Sequence, residues 1–154
     1  MCSGGSITPK ILILYYSRTG NTEKMAKAIM EGAKTVRGIE VELTYQTTPE
    51  ILANFDAIVI GMPTYHHDMT VDMKKLLEES AVKDINLKNK IGAAFGSYGW
   101  SGEAPRLVLE IMKNKFKMDV MEPPLLIKYT PDQNGLEKCR DLGRKIAERL
   151  MHAQ

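Results

Sequence analysis

A short run of hydroxyl and amide side chains follows the first apolar segment of the chain. The run reads Ser17, Arg18, Thr19, Gly20, Asn21 and Thr22, and a segment with helical periodicity comes directly after it. Such side chains, together with the unpaired N–H groups and partial positive charge of a helix N-terminus, form a site for an anion. The run therefore predicts a phosphate-binding loop. The alternative is structural, because serine, threonine, asparagine and glycine are also common turn and capping residues.

The spacing of this first loop differs from two familiar nucleotide motifs. A P-loop requires a glycine five positions before Gly20, where the chain has Tyr15, and a lysine where it has Asn21. The dinucleotide fingerprint requires three glycines, and the loop has one. The predicted phosphate therefore belongs to another kind of ligand.

Two further loops carry aromatic residues after apolar runs. The second loop covers residues 61–68 and contains Tyr65, and the third covers residues 96–103 and contains Trp100, the only tryptophan of the chain. An aromatic side chain between glycine and serine is costly to expose unless it covers something flat, so two such rings are suited to enclose a planar ligand. A planar ring with a phosphate indicates flavin mononucleotide (FMN). The alternative for Trp100 is a position in the core.

The adjacent histidines of the second loop raise the question of a metal. Neighbouring residues such as His66 and His67 seldom supply two ligands from one loop, and the third histidine, His152, lies near the end of the chain. We therefore expect no metal site.

The segments around the loops alternate between short apolar runs and longer helical patterns. Residues 11–16, 57–60 and 91–95 are apolar throughout, as expected for strands covered on both faces. Residues 41–45 alternate in polarity and residues 125–127 follow two prolines, so both are predicted at sheet edges.

Three apolar stripes with helical spacing lie between the strands. They are Met25, Ile29, Met30, Ala33 and Val36; Leu107, Val108, Ile111, Met112 and Phe116; and Leu136, Cys139, Leu142, Ile146 and Leu150. Thr48 and Asp132 are candidate capping residues, and Pro49 suits the first turn of a short helix. The alternation of apolar strand segments with helical stripes predicts an α/β fold with a three-layer, doubly wound, five-stranded parallel sheet. Ligands of such sheets bind at the carboxyl ends of the strands, here after Tyr16, Gly61 and Gly96.

The composition excludes several classes of protein. The chain has 154 residues, of which 44% are hydrophobic and 26% charged, which is typical of a globular domain. A net charge of +2 without a clustered basic stripe argues against nucleic-acid binding, and no apolar stretch approaches the ~20 residues of a membrane span. With no export signal or disulfide framework indicated, we expect a cytoplasmic protein with a flexible tail over residues 1–9 and one domain over residues 10–154.

Two stretches of the chain resemble short-chain flavodoxins. They cover residues 15–26, with the first loop, and residues 95–104, with Trp100. The second stretch is especially similar to the flavodoxin module of flavodiiron proteins. The resemblance extends over about residues 10–150 and implies a flavodoxin-like strand order of 2-1-3-4-5 with bound FMN.

The resemblance also implies roles for residues of all three loops. Ser17, Thr19, Gly20, Asn21 and Thr22 would hold the 5′-phosphate, with Arg18 at a variable position. Pro63 and Thr64 would lie beside the ribityl chain and ring edge, with Tyr65, His66 and His67 near one ring face and Trp100 on the other. The backbone of Ser97, Tyr98 and Gly99 would contact the pyrimidine end, Gly102 and Glu103 complete the matched stretch, and Tyr129 would approach from the loop after the last strand.

The function that the resemblance implies is electron transfer rather than catalysis. Bound FMN would carry electrons for a monomeric protein between a reductase and an acceptor, with ferredoxin-linked proteins or a flavodiiron-type oxidase as candidate partners. The main alternative is an FMN-dependent NAD(P)H:quinone oxidoreductase of the same fold. A receiver domain would need an acidic cluster at the strand ends, which this sequence lacks, and a non-redox binding module is the remaining alternative.

Two features depart from the family pattern. His66 stands where a glycine is common, and a non-glycine residue in a positive-φ turn costs about 1 kcal/mol. We therefore expect weaker stabilisation of the one-electron-reduced flavin. The second feature is the net charge of +2, since flavodoxins are usually acidic. Protonation of His66 and His67 near pH ~6.5 would favour an anionic reduced flavin. The alternative is that both histidines lie in solvent and have no effect on the flavin.

Overall fold

The computed structural model of the protein describes residues 8–17, 20–64, 70–99 and 102–152. In these ranges the strands are β1 (Lys10–Tyr15), β2 (Glu40–Thr44), β3 (Ala57–Gly61), β4 (Ile91–Tyr98), β5 (Asp119–Val120) and β6 (Leu125–Lys128). The helices are α1 (Asn21–Lys34), α2 (Pro49–Leu52), α3 (Val71–Val82), α4 (Glu103–Asn114) and α5 (Gln133–His152). Strands and helices alternate as the apolar runs and stripes predict.

The sheet is parallel, with the order β2-β1-β3-β4-β5. This confirms the predicted strand order and the doubly wound α/β fold. The order reverses between β1 and β3, which pair from Ile11 with Ala57 to Tyr15 with Gly61. The alternating strand β2 lies at an edge, as its pattern indicates.

The fifth position of the sheet is shared by two short strands. β5 pairs with the beginning of β4, and β6 pairs with its end, from Phe95 with Leu125 to Tyr98 with Lys128. Pro123 and Pro124 lie between the two strands, and a proline has no N–H to donate to a neighbouring strand. The chain therefore leaves β4 after β5 and returns as β6, so the sequence predicts β6 but not β5.

β4 is longer than its apolar run predicts. Gly96, Ser97 and Tyr98 were expected in the third loop, but they lie in the strand because β6 pairs with each of them. Pairing with a strand that follows about thirty residues later is a tertiary effect, and no local pattern in the sequence reports it. β4 consequently carries the chain further toward the carboxyl edge than β3 does.

Both faces of the sheet are covered, which explains the continuous apolar runs. Leu12 and Leu14 of β1 point into one core, against residues of α3 and α4. Ile11 and Ile13 point into the other, against α1 and α5. The helices thus hold the central strands rigidly, and the loops at the strand ends are built on this support.

The contact between α1 and α5 depends on two glycines. A Cβ atom on Gly32 would lie 1.9 Å from the backbone oxygen of Arg140, and one on Gly143 would lie 1.9 Å from that of Ile29. Both distances are far below van der Waals contact, so the two helix backbones touch directly. The apolar stripes predict that these helices are buried, but not that glycines set their separation.

The predicted helix caps are confirmed for α5 and wrong for α2. Asp132 Oδ1 accepts a hydrogen bond from Gly135 N at 2.8 Å, as expected for a cap of α5. Pro49 occupies the first turn of α2, yet the Thr48 hydroxyl accepts no capping bond. The reason is that Ile51 N, a donor that such a cap would use, already donates to the Thr48 carbonyl at 3.2 Å.

Candidate functional site

The three predicted loops begin at neighbouring strand ends. Tyr15 of β1 pairs with Gly61 of β3, and Gly61 pairs with Phe95 of β4. Tyr16 N also donates to Gly61 O at 2.9 Å, just beyond the end of β1. Because the strands are parallel, the first, second and third loops leave the same edge of the sheet at the point where the order reverses, which is the expected place for a ligand.

The first loop turns into the N-terminus of α1. Ser17 Oγ accepts a hydrogen bond from Gly20 N at 3.0 Å, and Gly20 has a φ of +92°, a conformation that favours glycine. Lys24 N makes the first backbone bond of the helix, to Gly20 O at 3.0 Å. The N–H groups of Asn21, Thr22 and Glu23 precede that bond and are available to an anion. Arg18 and Thr19 lie outside the described residues.

An acidic side chain stands at this same helix terminus. The Glu23 carboxylate accepts a hydrogen bond from the Tyr15 hydroxyl at 3.4 Å and pairs with Lys27 Nζ at 3.4 Å. Burial, and then the charge of Glu23, raises the pKa of Tyr15 above its ordinary value, so the phenol stays protonated and donates. Both partners hold the carboxylate in place, and the charge of Lys27 offsets its negative charge, which reduces its repulsion of an anion at the helix end.

The second loop is joined to β4 and α4 where it begins. Met62 N donates to Phe95 O at 3.1 Å, and Thr64 Oγ1 accepts from Ala104 N, in the first turn of α4, at 3.0 Å. A Cβ atom on Gly96 would lie 2.2 Å from Met62 O, so glycine is required for this close approach. Pro63 and Thr64 are half-buried. Tyr65, His66 and His67 lie outside the described residues.

The end of β4 presents backbone groups beyond the last residue of β3. Phe95 O faces β3, where it accepts from Met62 N, while Tyr98 O faces the other neighbour and accepts from Tyr129 N at 2.6 Å. Backbone groups alternate in direction along a strand, so those of Ser97 point to the side on which β3 has ended. Since the N–H of a trans peptide points opposite to its carbonyl, Gly99 N–H points to that side as well.

The remaining residues of the third loop have the following places. Ser97 is buried, Tyr98 is half-buried, and Gly99 is exposed. Gly102 precedes α4, and Glu103 is its first residue. Trp100 lies outside the described residues. The structure therefore brings together the described parts of all three loops, while the proposed ring contacts of Tyr65, His66, His67 and Trp100 stay predictions.

A cleft of about 490 Å³ lies beside this edge, on the face covered by α2 and α3. Its lining includes Tyr16, Tyr45, Ile51 and Asp72, and in the described part of the chain it includes no residue of β4 or α4. Among the described residues, its lining comes from the end of β1, the segment between β2 and α2, and the helices α2 and α3.

Other kinds of site have little support in the described ranges. His, Cys, Asp and Glu side chains there form no group of three or more that could hold a metal ion. No helix in those ranges has the length and apolar character needed to cross a membrane. Cys139 is buried, and burial raises its pKa to about 12, so its thiol is unreactive at neutral pH.

The arrangement of loops agrees with the match to a known family. The flavodoxin family model matches residues 13–143, a span that begins in β1, ends in α5 and includes all three loops. The chain belongs to the flavodoxin family. FMN is the cofactor of flavodoxins and of the related flavodiiron proteins, and the anion site at α1 fits its phosphate.

The relatives of this flavodoxin-family chain include a solved flavodoxin and longer flavoproteins. A flavodoxin from the domain Archaea is 39% identical with a TM-score of 0.85, and the match covers 93% of this chain and 99% of that one. A type A flavoprotein of Rhodobacter capsulatus is 39% identical over 146 residues, which are 91% of this chain and 33% of that protein. A nitric oxide reductase of Moorella thermoacetica is 34% identical over 148 residues, which are 92% and 36% of the two chains. The chain thus spans about a third of the length of these curated relatives.

Two contacts at the site were not predicted from the sequence. Thr64 was expected beside the ligand, but its bond to Ala104 N was not, and the bond between Tyr129 N and Tyr98 O was not. Each joins residues that lie far apart in the sequence and involves a backbone N–H, which every residue type except proline carries. The threonine three positions after the β3 glycine is the only local signal for the first contact.

Proposed function

We propose that this chain is an electron carrier that binds FMN non-covalently at the edge formed by its first, second and third loops. The observation that carries the proposal is the joint placement of two donor sets. One is the N–H groups at the start of α1 that precede the first backbone bond of the helix, and the other is the backbone of Ser97 and Gly99 beyond the end of β3. A phosphate and a hydrogen-bonding ring edge are the two polar ends of FMN.

The phosphate end is assigned to the first loop. Ser17, Gly20, Asn21 and Thr22 provide hydroxyl, amide and backbone donors at the positive end of α1, and Arg18 and Thr19 belong to the same run. Thr22 is only 2% exposed, so its position is fixed by the residues packed around it. Pairing of Glu23 with Lys27 and Tyr15 supports the same assignment.

The ring end is assigned to the second and third loops. Ser97 and Gly99 would offer backbone groups to the pyrimidine edge, and Tyr65 and Trp100 would cover the two faces. Thr64 accepts from Ala104 N and keeps its own hydroxyl hydrogen to donate, which suits a place beside the ribityl chain. Gly102 and Glu103 close the third loop on the first turn of α4.

Bound FMN supplies one-electron and two-electron redox chemistry, and the chain binds it, orients it and excludes water from it. We assign no catalytic residue to the chain. His66 and His67 are the candidates for tuning the flavin, through backbone conformation and through charge. Redox proteins, a reductase and an acceptor, are the proposed partners.

The second candidate function is a part in an enzyme. It is favoured by the similarity to longer flavoproteins, one of which is a nitric oxide reductase. The chain matches about a third of a nitric oxide reductase and of type A flavoproteins, so in a longer protein such a module would deliver electrons to another domain. A free-standing NAD(P)H:quinone oxidoreductase is the other enzymatic form.

Reconstitution with FMN separates these possibilities. We expect the protein to bind FMN, quench its fluorescence and show a flavoprotein spectrum, and we expect NADPH to leave the bound flavin oxidised under anaerobic conditions unless a reductase is added. Direct bleaching by NADPH would favour the quinone oxidoreductase. A protein that takes up no FMN would contradict the proposal.

A further inference from the structure

Two unfavourable features coincide in the turn after β6. Tyr129 has a φ of +59°, which bulky residues rarely adopt. Its side chain is also 62% exposed, although tyrosine carries a large apolar ring. Backbone strain of this kind persists where the surrounding structure holds it, and it is common at ligand sites.

The contacts of Tyr129 all lead to the end of β4. Its N–H donates to Tyr98 O at 2.6 Å, and its ring lies so close to Gly99 that a Cβ atom there would be 3.4 Å from Tyr129 Cε1. Lys128 Nζ also lies over the ring, 5.4 Å from its centroid and within the range of a cation–π contact. The partly exposed ring therefore has contacts with both Lys128 and the end of β4.

This placement determines the direction of one peptide group. With the Tyr98 carbonyl held by Tyr129 N, the N–H of the Tyr98–Gly99 peptide points to the opposite side, where β3 has ended. Gly99 is exposed and lacks a side chain, so without that bond the peptide is free to rotate. The strained turn at Tyr129 is what keeps this donor directed into the site.

We propose that Tyr129 is a positioning residue for the flavin: its backbone N–H and its ring hold the Tyr98–Gly99 peptide so that Gly99 N–H faces the pyrimidine edge of FMN. The inference rests on the proposed function. It assigns a role to the turn after β6, a segment that lies outside the three loops. Tyr129 acts through Gly99, and the hydroxyl of its ring takes no part.

Three substitutions at Tyr129 distinguish the role of its backbone conformation from the role of its ring. Tyr129→Val disfavours a positive φ, so the turn opens and the bond to Tyr98 O is lost. Tyr129→Asn tolerates that φ but removes the ring, and Tyr129→Phe keeps both. We expect the dissociation constant for FMN to rise about tenfold in the valine variant, less in the asparagine variant, and not at all in the phenylalanine variant. Tyr45→Val is the matched control, since Tyr45 is 65% exposed and lies outside the three loops.

The readouts distinguish positioning from a merely structural role. Both one-electron midpoint potentials should shift in the valine variant, and the amide of Gly99 should exchange with solvent faster in its FMN complex, while the thermal midpoint of the FMN-free protein stays close to that of wild type. If the valine variant fails to fold, the asparagine variant still tests the ring, and wild-type affinity and potentials in it would overturn the role assigned to the ring. Wild-type affinity and potentials in both variants would overturn this inference alone. A wild-type protein that binds no FMN would overturn the proposed function and this inference with it.

Discussion

The Thr64 hydroxyl accepts a hydrogen bond from Ala104 N at 3.0 Å, and this contact joins the second loop to the first turn of α4. A helix begins with N–H groups that have no partner within the helix, and a capping side chain usually comes from the residue just before it. Here that residue is Gly102, which has no side chain, and the cap comes from 40 positions earlier in the chain. The stability of α4 and the position of the second loop are therefore coupled.

Loss of this cap should lower both stability and flavin affinity. We expect Thr64→Val to reduce the free energy of unfolding by about 1 kcal/mol, while Thr64→Ser, which keeps the hydroxyl, changes it little. Denaturant unfolding with and without FMN measures both effects. Thr48→Val is a suitable control, because Thr48 stands at the N-terminus of α2 without a side-chain cap. Equal effects of the two valine substitutions would contradict the role of Thr64.

The first loop should recognise the phosphate rather than the ring. Ser17→Ala removes the oxygen that accepts from Gly20 N, so the loop loses one hydrogen bond and a hydroxyl donor. We expect about tenfold weaker binding of FMN and unchanged binding of riboflavin, which has no phosphate. Fluorescence titration with each ligand gives the ratio. A similar loss for both ligands would place Ser17 away from the phosphate.

The contact between α1 and α5 should tolerate no side chain at Gly143. A Cβ atom there would lie 1.9 Å from Ile29 O, so Gly143→Ala must push the two helices apart. We expect a loss of about 3 kcal/mol in the free energy of unfolding, measured by urea denaturation. Gly135→Ala on the same helix is the comparison, because its Cβ would approach side-chain atoms rather than backbone: Ile127 Cδ1 at 3.0 Å and Asp132 Oδ1 at 3.4 Å. If both variants lose equal stability, backbone contact is not the cause.

The buried thiol of Cys139 should make stability fall at high pH. Burial raises its pKa from 9.0 to about 12, so folding favours the protonated form. The contribution is fully present below pH 9 and is lost as the pH rises from about 9 to about 12. Cys139→Ala should show a smaller decline of the unfolding free energy across that window. Rapid alkylation of Cys139 in the native protein at pH 8 would argue against the burial.

The position of His66 should limit the stability of the one-electron-reduced flavin. If the second loop needs a positive φ there, His66→Gly relieves a cost of about 1 kcal/mol. Since ~1.4 kcal/mol corresponds to about 59 mV for one electron, the separation of the two one-electron midpoint potentials should widen by tens of millivolts. Potentiometric titration of the FMN-bound protein measures it. If the separation of the two midpoint potentials is unchanged, His66 does not limit the stability of the one-electron-reduced flavin.

The sequence by itself determined the alternation of strands and helices, the covering of both sheet faces and the location of the first loop. These follow from local patterns: continuous apolar runs in strands buried on both sides, apolar stripes with helical spacing, and turn residues directly before a helix. The residue types of the three loops indicated FMN, and the family resemblance in residues 15–26 and 95–104 added the strand order and the roles of individual residues.

Tertiary structure decided the features that depend on distant partners. β4 continues to Tyr98 because β6 pairs with it, α1 and α5 approach to backbone contact at Gly32 and Gly143, and the Thr64 hydroxyl caps α4. The direction of Gly99 N–H depends in the same way on Tyr129, thirty residues later in the chain. Each of these contacts joins residues that are far apart in the sequence and involves backbone atoms, which every position carries, so only the folded arrangement reveals which residues meet.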